Sequence, residues 1–570
     1  MTSNSHAMTF AKDVPVEMDD GLVLRANVFR PDAPGRYPVI MAQGVYGKDA
    51  HFADAFSVQW GKLVAIYPEL CDAGSSGHYL RWETVDPERW VPHGYVVIQI
   101  DARGTGKSPG YLDPRSAREI QDYYCSIEWA GRQPWSTGKV GLIGISYFAF
   151  TQWAVAALQP PHLAAIIPWE GYVDYYRDGS HHGGIFSNGF STAWWPRQVL
   201  VNQHGNGDTT YFDRDTKAPS TGLPLSAAAL EGNQADYPAD LLRHALDDAW
   251  HRERTPDLSR IKVPLLSAGN WGGPGIHLRG NIEGFMGAGS KNKWLSMHIG
   301  THWDSFYLPE YIKVQKRFFD HFLKGEDNGW QNEPRVQIAI RRPDSTLRGP
   351  KAAEFRMENE FPLIRTLWTK FYLDAASARM VAGAPKAAAK FEYDALGEGV
   401  TFMTSSFSQE TEFTGFLTGH LFVSSSTIDM DIFATLRMFD QQGHEVIFIG
   451  AHEPTPVTRG WLRASHRKLD PIRTLPYRVV HAHDEVQKLT PDEIYEVDVE
   501  IWPTCIVVPR GHRLALTLQG RDFEFPETPG RLLHNHPLDR PAGEFSGRNT
   551  IHTGGAQASY LLMPLIPPKS

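Results

Sequence analysis

Along the first half of the chain, short runs of consecutive apolar residues alternate with longer stretches of helical periodicity. The runs are "YPVIMAQG" (37–44), "YVVIQIDA" (95–102), "KVGLIGI" (139–145), "LAAIIPW" (163–169), "VPLLSAGN" (263–270) and "WLSMHIG" (294–300). None has a polar face, which predicts strands covered on both sides, as in a parallel sheet flanked by helices. Between them, "SAREIQDYYCSIEWAGRQ" (116–133) and "SYFAFTQWAVAALQ" (146–159) predict helices. The result is a βαβ series, and such sheets bind ligands at the carboxyl ends of their strands. The interval from Trp169 to Val263 is too long for a simple crossover and is rich in Tyr, Trp, His and Gly, so it predicts an inserted cap over that edge.

After "FFDHFLKGEDNGW" (318–330) the pattern changes to period-two alternation, as in "RVQIAIR", "GHLFVSSS", "DIFATLRMF", "EVDVEIWP" and "RLALTLQG". Many short strands punctuated by Gly, Pro, Asn and Asp predict a β-sandwich, specifically a jelly roll. The expected division is an α/β catalytic domain over 1–170 and 256–330, a cap over 171–255 and the β-sandwich over 331–570.

Composition narrows the function. A chain of 570 residues exceeds one ordinary core, in keeping with two or three domains. The net charge is −9 with Lys and Arg dispersed, which argues against a nucleic-acid partner. No apolar run is long enough to span a membrane. Residues 1–13, "MTSNSHAMTFAKD", lack an apolar leader core, so the expected location is cytoplasmic. Cys71, Cys125 and Cys505 lie far apart and show neither metal-ligand spacing nor a disulfide framework.

Ser146 stands where the strand "KVGLIGI" gives way to a helix. A hydroxyl there is an N-cap or a nucleophile on a tight strand-to-helix turn. Gly144 fills the minus-two position, but plus-two is Phe148 and plus-three Ala149, a poor match to G-x-S-x-G; the fragment alone favours the cap. Downstream, "HIGTHWDSFY" puts His302 just past the last strand. Serine before histidine is the chain order of α/β-hydrolases. His277 and the pair His181–His182 are rivals for the base, and His298, within the strand, reads as a core residue.

The stretches "DARGTGKSPG", "IEWAGRQPWSTGKVGLIGISY", "VDYYRD", "RGWLRASHR" and "VPRGHRLALTL" resemble the CocE/NonD hydrolases, relatives of cocaine esterase, α-amino acid ester hydrolases and Xaa-Pro dipeptidyl-peptidases, over nearly the whole chain. The resemblance implies Ser146 as nucleophile, and an oxyanion hole from the Tyr147 N–H and the hydroxyl of Tyr46. It places the base near His302, displaced by a residue or two from the family's Gly-Pro-Trp-x-His string. It also exposes a gap: the family's acid falls at Gly272, and no carboxylate occurs from Gly269 to Ile282. Glu170, at the end of "LAAIIPWE", and Asp304 are the candidates to replace it. Asp101, Arg103, Asp122 and Glu128 read as structural.

The expected reaction is hydrolysis of a small-molecule ester or amide through an acyl-serine, with ester cleavage ahead of Xaa-Pro peptide cleavage. No cofactor and no metal are implied, and homo-oligomer formation stays open. A peptidase of the Xaa-Pro type needs carboxylates for a free amine, for which Asp174, Asp178, Asp208 and Asp213 are available; Trp194 and Trp195 would suit a bulky group. The alternative from another class is a degenerate scaffold serving as a carbohydrate-binding or interaction protein.

Overall fold

The computed structural model describes residues 8–72, 74–345, 349–451, 454–528 and 533–568. The first seven residues, part of the leader reading, lie outside them. The expected apolar runs form strands. The first sheet comprises β1 (Met8–Glu17), β2 (Val23–Pro31), β3 (Tyr37–Gly44), β4 (Val96–Asp101), β5 (Ser136–Ile145), β6 (Leu163–Trp169), β7 (Leu265–Asn270), β8 (Lys293–His298), β9 (Val336–Ala339) and β10 (Phe355–Glu358). Their spatial order is β1-β2-β4-β3-β5-β6-β7-β8-β9-β10. From β4 through β9 all pairings are parallel, and antiparallel pairs close both ends. This is an α/β-hydrolase sheet, and β3 to β8 are buried on both faces, as unbroken apolar runs require.

The helices α1 (Ala117–Arg132) and α2 (Tyr147–Ala157) lead into and out of β5. The hydroxyl of Ser116 caps α1 by accepting from the Glu119 N–H, the S-x-x-E start signal. Every residue of α2 is buried, so it is a core helix and its first turn is held from all sides.

One strand falls elsewhere than its pattern suggested. "RVQIAIR" was expected in the β-sandwich, yet β9 pairs in parallel with β8. The hydrolase sheet therefore runs past residue 330, to Glu358. Alternation predicts a strand equally well for either sheet and does not choose between them.

Beyond it, eleven described strands make a second, mostly antiparallel sheet. Its spine is the long antiparallel pair Thr411–Ser425 and Tyr495–Val508, packed over its own core. A third core joins the two regions: Leu295, Met297 and Ile338 of the first sheet pack with Phe433, Trp461 and Trp502 of the second. Each such buried aliphatic or aromatic side chain contributes about 1.5–3 kcal/mol, so the C-terminal β domain is fastened to the catalytic sheet.

The segment 171–255 folds into short helices and turns between the sheet edge and the β domain. Arg463 N donates to Gly183 O at 2.8 Å and Gly189 N to Leu533 O at 2.8 Å. Among the described residues, no helix is long and apolar enough to cross a membrane, and no group of three or more His, Cys, Asp or Glu is arranged to hold a metal ion.

Candidate active site

Ser146 adopts φ 57° and ψ −109°, and its side chain caps nothing. The N-cap role is thereby absent, and the strained backbone needs another reason. Glu83 (φ 61°) and Glu170 (φ 47°) share the left-handed region, which costs a non-glycine residue about 1–3 kcal/mol. The three are tied together: Ile145 N donates to Glu83 O at 3.0 Å, Ser146 N to Trp169 O at 3.0 Å, and Glu170 N to Ala268 O at 2.7 Å. Strain concentrated at the ends of β5 and β6 marks a functional turn.

The poor motif match around Ser146 is compensated elsewhere. A Cβ on Gly144 would lie 2.5 Å from Phe148 Cβ, and one on Gly44 2.6 Å from the Phe148 ring. These two glycines make room for the phenylalanine at plus-two. Gly171 does the same for Ala149, whose methyl a Cβ there would meet at 2.4 Å.

The Ser146 hydroxyl meets His277 Nε2 at 3.3 Å. Such a bond is long, as unliganded nucleophile–base contacts often are. His277 precedes the helix α3 (Leu278–Gly287), on the loop after β7. Its ring lies nearly parallel to those of His302 (centroids 4.9 Å, 13°) and Tyr172 (6.3 Å, 7°).

His302 does not face the serine. Its Nδ1 meets Glu170 Oε2 at 2.8 Å and its Nε2 meets Glu83 Oε1 at 3.0 Å. Burial opposes the cation, but the charge of Glu170 and hydrogen bonds to both carboxylates push the imidazole up to about 10. His302 is therefore an imidazolium clamped between two acids. The expectation that it touches Ser146 gives way to this geometry, because both its nitrogens are occupied. Burial pushes Glu83 up to about 7 against the pull of His302. For Glu170, burial is outweighed by His302 and His298, and the carboxyl lies below its usual range. Glu170 also meets His298 Nε2 at 2.8 Å and accepts from Asn270 Nδ2 at 3.2 Å; His298 is a partner of the site as well as a core residue.

Asp304 takes no part in holding His302. It accepts from the N–H groups of Thr301 (2.9 Å) and Ser305 (2.7 Å), bracing the loop that carries the histidine. Gly272, where the resemblance places the acid, is closed to any side chain. A Cβ there would sit 2.4 Å from Gly450 Cα, and Ala451 N donates to Gly272 O at 2.9 Å. The β domain thus occupies the space an aspartate would need.

Tyr46 follows β3 and is buried; its hydroxyl accepts from Trp194 Nε1 at 3.0 Å. That bond leaves the phenolic proton available. Burial and the charge of Glu83 hold the phenol well above its usual range, so it remains a donor. Tyr147 is the first residue of α2, where an N–H has no intrahelical partner. Its hydroxyl donates to Glu119, and Arg115 lies over the rings of Tyr147 (4.9 Å) and Trp194 (4.5 Å), bracing this wall.

The remaining candidates lie apart. Asp101 accepts from Lys48 and Lys107 backbone N–H groups, Arg103 pairs with Asp122, and Glu128 meets His162. His181 meets Ser180, and His182 meets His534. Sequence reasoning missed Glu83, which sits in "LRWETVDP" with no distinguishing pattern, and it ranked His277 only as a rival.

A groove of about 560 Å³ opens beside the site, walled by Trp194, Pro274 and Trp303 and by the β domain at Arg459, Phe523 and Phe525. Trp194 bonds Tyr46, Pro274 lies three residues before His277, and Trp303 follows His302, so the groove abuts the serine's surroundings. The volume suits a small organic substrate.

Comparison with known proteins supports the chemistry. Residues 20–304 match the X-Pro dipeptidyl-peptidase (S15 family) model, and residues 328–562 match the X-Pro dipeptidyl-peptidase C-terminal non-catalytic domain. The chain is 23% identical to cocaine esterase from Rhodococcus sp. strain MB1, over 98% of each. A CocE/NonD family hydrolase from Staphylococcus aureus superposes with a TM-score of 0.83 at 35% identity, over 98% of this chain and 94% of the other. An α-amino acid ester hydrolase shares the fold, with a TM-score of 0.70 at 16% identity over 99% and 98%.

Proposed function

Because the chain belongs to the S15 family of hydrolases and resembles its CocE/NonD members throughout, we propose that it is a serine esterase with Ser146 as nucleophile and His277 as proton acceptor. The observation that carries this is the strained, non-capping Ser146 with its hydroxyl 3.3 Å from His277 Nε2. Ser146 Oγ attacks the carbonyl carbon while His277 Nε2 takes its proton. Negative charge develops on the carbonyl oxygen, toward which the Tyr46 hydroxyl and the Tyr147 N–H donate. Collapse expels the alcohol, protonated by His277. Water then gives a proton to His277, attacks the acyl-serine and releases the acid.

In this reading the missing acid is replaced by an assembly. Glu170 holds His302, and His302 stacks on His277 and fixes its plane. Two carboxyls flank the single His302 cation, so a transient charge on His277 meets a balanced neighbourhood. A second reading keeps His302 as the acceptor. It follows the last strand and its Nδ1 is held by Glu170 at 2.8 Å, but its Nε2 would have to leave Glu83 for Ser146.

Ester substrates are favoured over Xaa-Pro peptides because three of the four cap acids suited to an N-terminal amine, all but Asp208, are engaged. Asp174 pairs with Arg177 at 3.0 Å, Asp178 with Arg279 at 2.8 Å and Asp213 with Lys12 at 2.5 Å, and none of the four acids lines the groove. The jelly-roll reading of the C-terminal domain remains our assignment for its strand pattern, with the role of walling the groove. The test is a panel of p-nitrophenyl esters beside aminoacyl-proline anilides. Ester turnover with a burst, lost in Ser146→Ala, is expected; turnover of the anilides alone would replace the esterase by a peptidase.

A further inference from the structure

Arg459 lies on the strand Thr458–Arg463 of the β domain and forms part of the groove wall. Its side chain is half-buried, its Nε is sealed from solvent, and among the described residues the guanidinium has no hydrogen-bond or ion-pair partner. Arg463, four residues on and on the same face of the strand, shows the usual arrangement: Asp431 accepts from its Nε at 2.9 Å and Asp539 from its Nη1 at 2.9 Å. A buried guanidinium nitrogen with no hydrogen-bond acceptor is costly, and a ligand carboxylate at the groove would supply one. Burial draws the Arg459 charged form down, with the charge of Asp522 opposing.

Arg459 shares the groove with a second arginine. Among the described residues that line it, Arg197 and Arg459 supply positive charge, while Lys62 and Glu524 are each engaged by other partners. A site for an amino-terminal or amino-acid ester would carry the opposite sign. We propose that Arg459 is the anion-recognising residue of the substrate groove, and that the preferred substrates are esters bearing a free carboxylate, such as hemiesters of short dicarboxylic acids. The planar guanidinium fork suits a carboxylate. The ester carbonyl would then lie toward Ser146, between Trp194 and Trp303, with the free carboxylate at the β-domain wall. This rests on the esterase reading and adds the chemical class of its substrate.

Two measurements test it. In the first, kcat/KM for mono-p-nitrophenyl glutarate is compared with that for p-nitrophenyl butyrate. The hemiester is expected to lead by tenfold or more, and Arg459→Met to reduce that ratio at least tenfold, with Arg459→Lys between. In the second, glutarate is titrated calorimetrically into the full-length Ser146→Ala protein. Saturable binding weakened at least tenfold by Arg459→Met is expected. Thermal unfolding without ligand provides the fold control: Arg459→Met should unfold close to wild type, because the guanidinium makes no hydrogen bond or ion pair among the described residues. Glutarate binding that depends on Arg459 in a protein cleaving no ester would leave the anion site standing and sink the esterase. Ester cleavage with an unchanged ratio in Arg459→Met, or no glutarate binding, would overturn the anion site alone.

Discussion

Two buried histidine clusters in this molecule are set in opposite directions. At the serine, His302 is enclosed by Glu170 and Glu83 and pushed up to about 10. Between the cap and the β domain, His181, His182, His251, His466, His481 and His483 are packed against one another, aromatic rings, Ser180 and backbone carbonyls. There burial outweighs the pull of nearby acids and lowers His182 and His466 to about 3 and His251 and His481 to about 4. The difference lies in the partners. Glu170 and Glu83 meet both nitrogens of His302 within hydrogen-bond distance, whereas the acids near the interface histidines, such as Asp522, Asp431 and Asp248, act on their rings only through space. Direct carboxylate contact sets the cluster beside Ser146 apart from the interface cluster, where burial prevails.

The largest effects should come from the serine's own contacts. Ser146→Ala is expected to lower kcat/KM on p-nitrophenyl esters by about ten-thousand-fold or more, and His277→Ala by about a thousandfold. His302→Ala should cost less, because His302 acts through His277. If instead His302→Ala proved the more damaging while His277→Ala stayed near wild type, the second reading of the base would replace the first.

Next in size is the clamp. Glu170→Gln keeps the shape but removes the charge that holds His302, and should cost about a hundredfold in kcat with little change in KM. A protein with unchanged kcat and native melting would detach Glu170 from catalysis.

Stability should respond to pH from both sides. His302 has a folded-state pKa above its ordinary value, so its contribution is complete below about pH 6.5 and is lost as pH rises toward 10. In His302→Gln the fall of Tm between pH 7 and 10 should flatten. The interface histidines have depressed folded-state values. Their contribution is present above about pH 6.5 and is lost as pH falls toward 4 for His251 and His481 and toward 3 for His466. In His466→Gln the acid limb should be shallower by up to about 1.4 kcal/mol per pH unit. Identical limbs in wild type and variants would contradict the opposed settings of the two clusters.

Much of this architecture was legible in the chain. The buried strands announced themselves as unbroken apolar runs, and β3 and β6 have the bounds their sequence suggested. Ser146, Tyr46 and Glu170 each end or follow such a strand, which brought them into view as candidates, while the roles of Ser146 and Tyr46 came from the family resemblance. Pairing was not: "RVQIAIR" joins the hydrolase sheet because β8 presents a free edge to it, which no local pattern encodes. That Ser146 meets His277 while His302 is held by Glu83 was likewise hidden, since Glu83 is distant in sequence and sits in a backbone conformation its residue type does not favour. Gly272 read as a lost acid; in three dimensions it is the place where Gly450 docks.

The most direct measurement is labelling with a fluorophosphonate probe, read by intact mass and peptide mapping. The account predicts one adduct per chain, on Ser146, absent in Ser146→Ala and formed far more slowly in His277→Ala. A wild-type protein that takes up no probe, or takes it up at another residue, would contradict it.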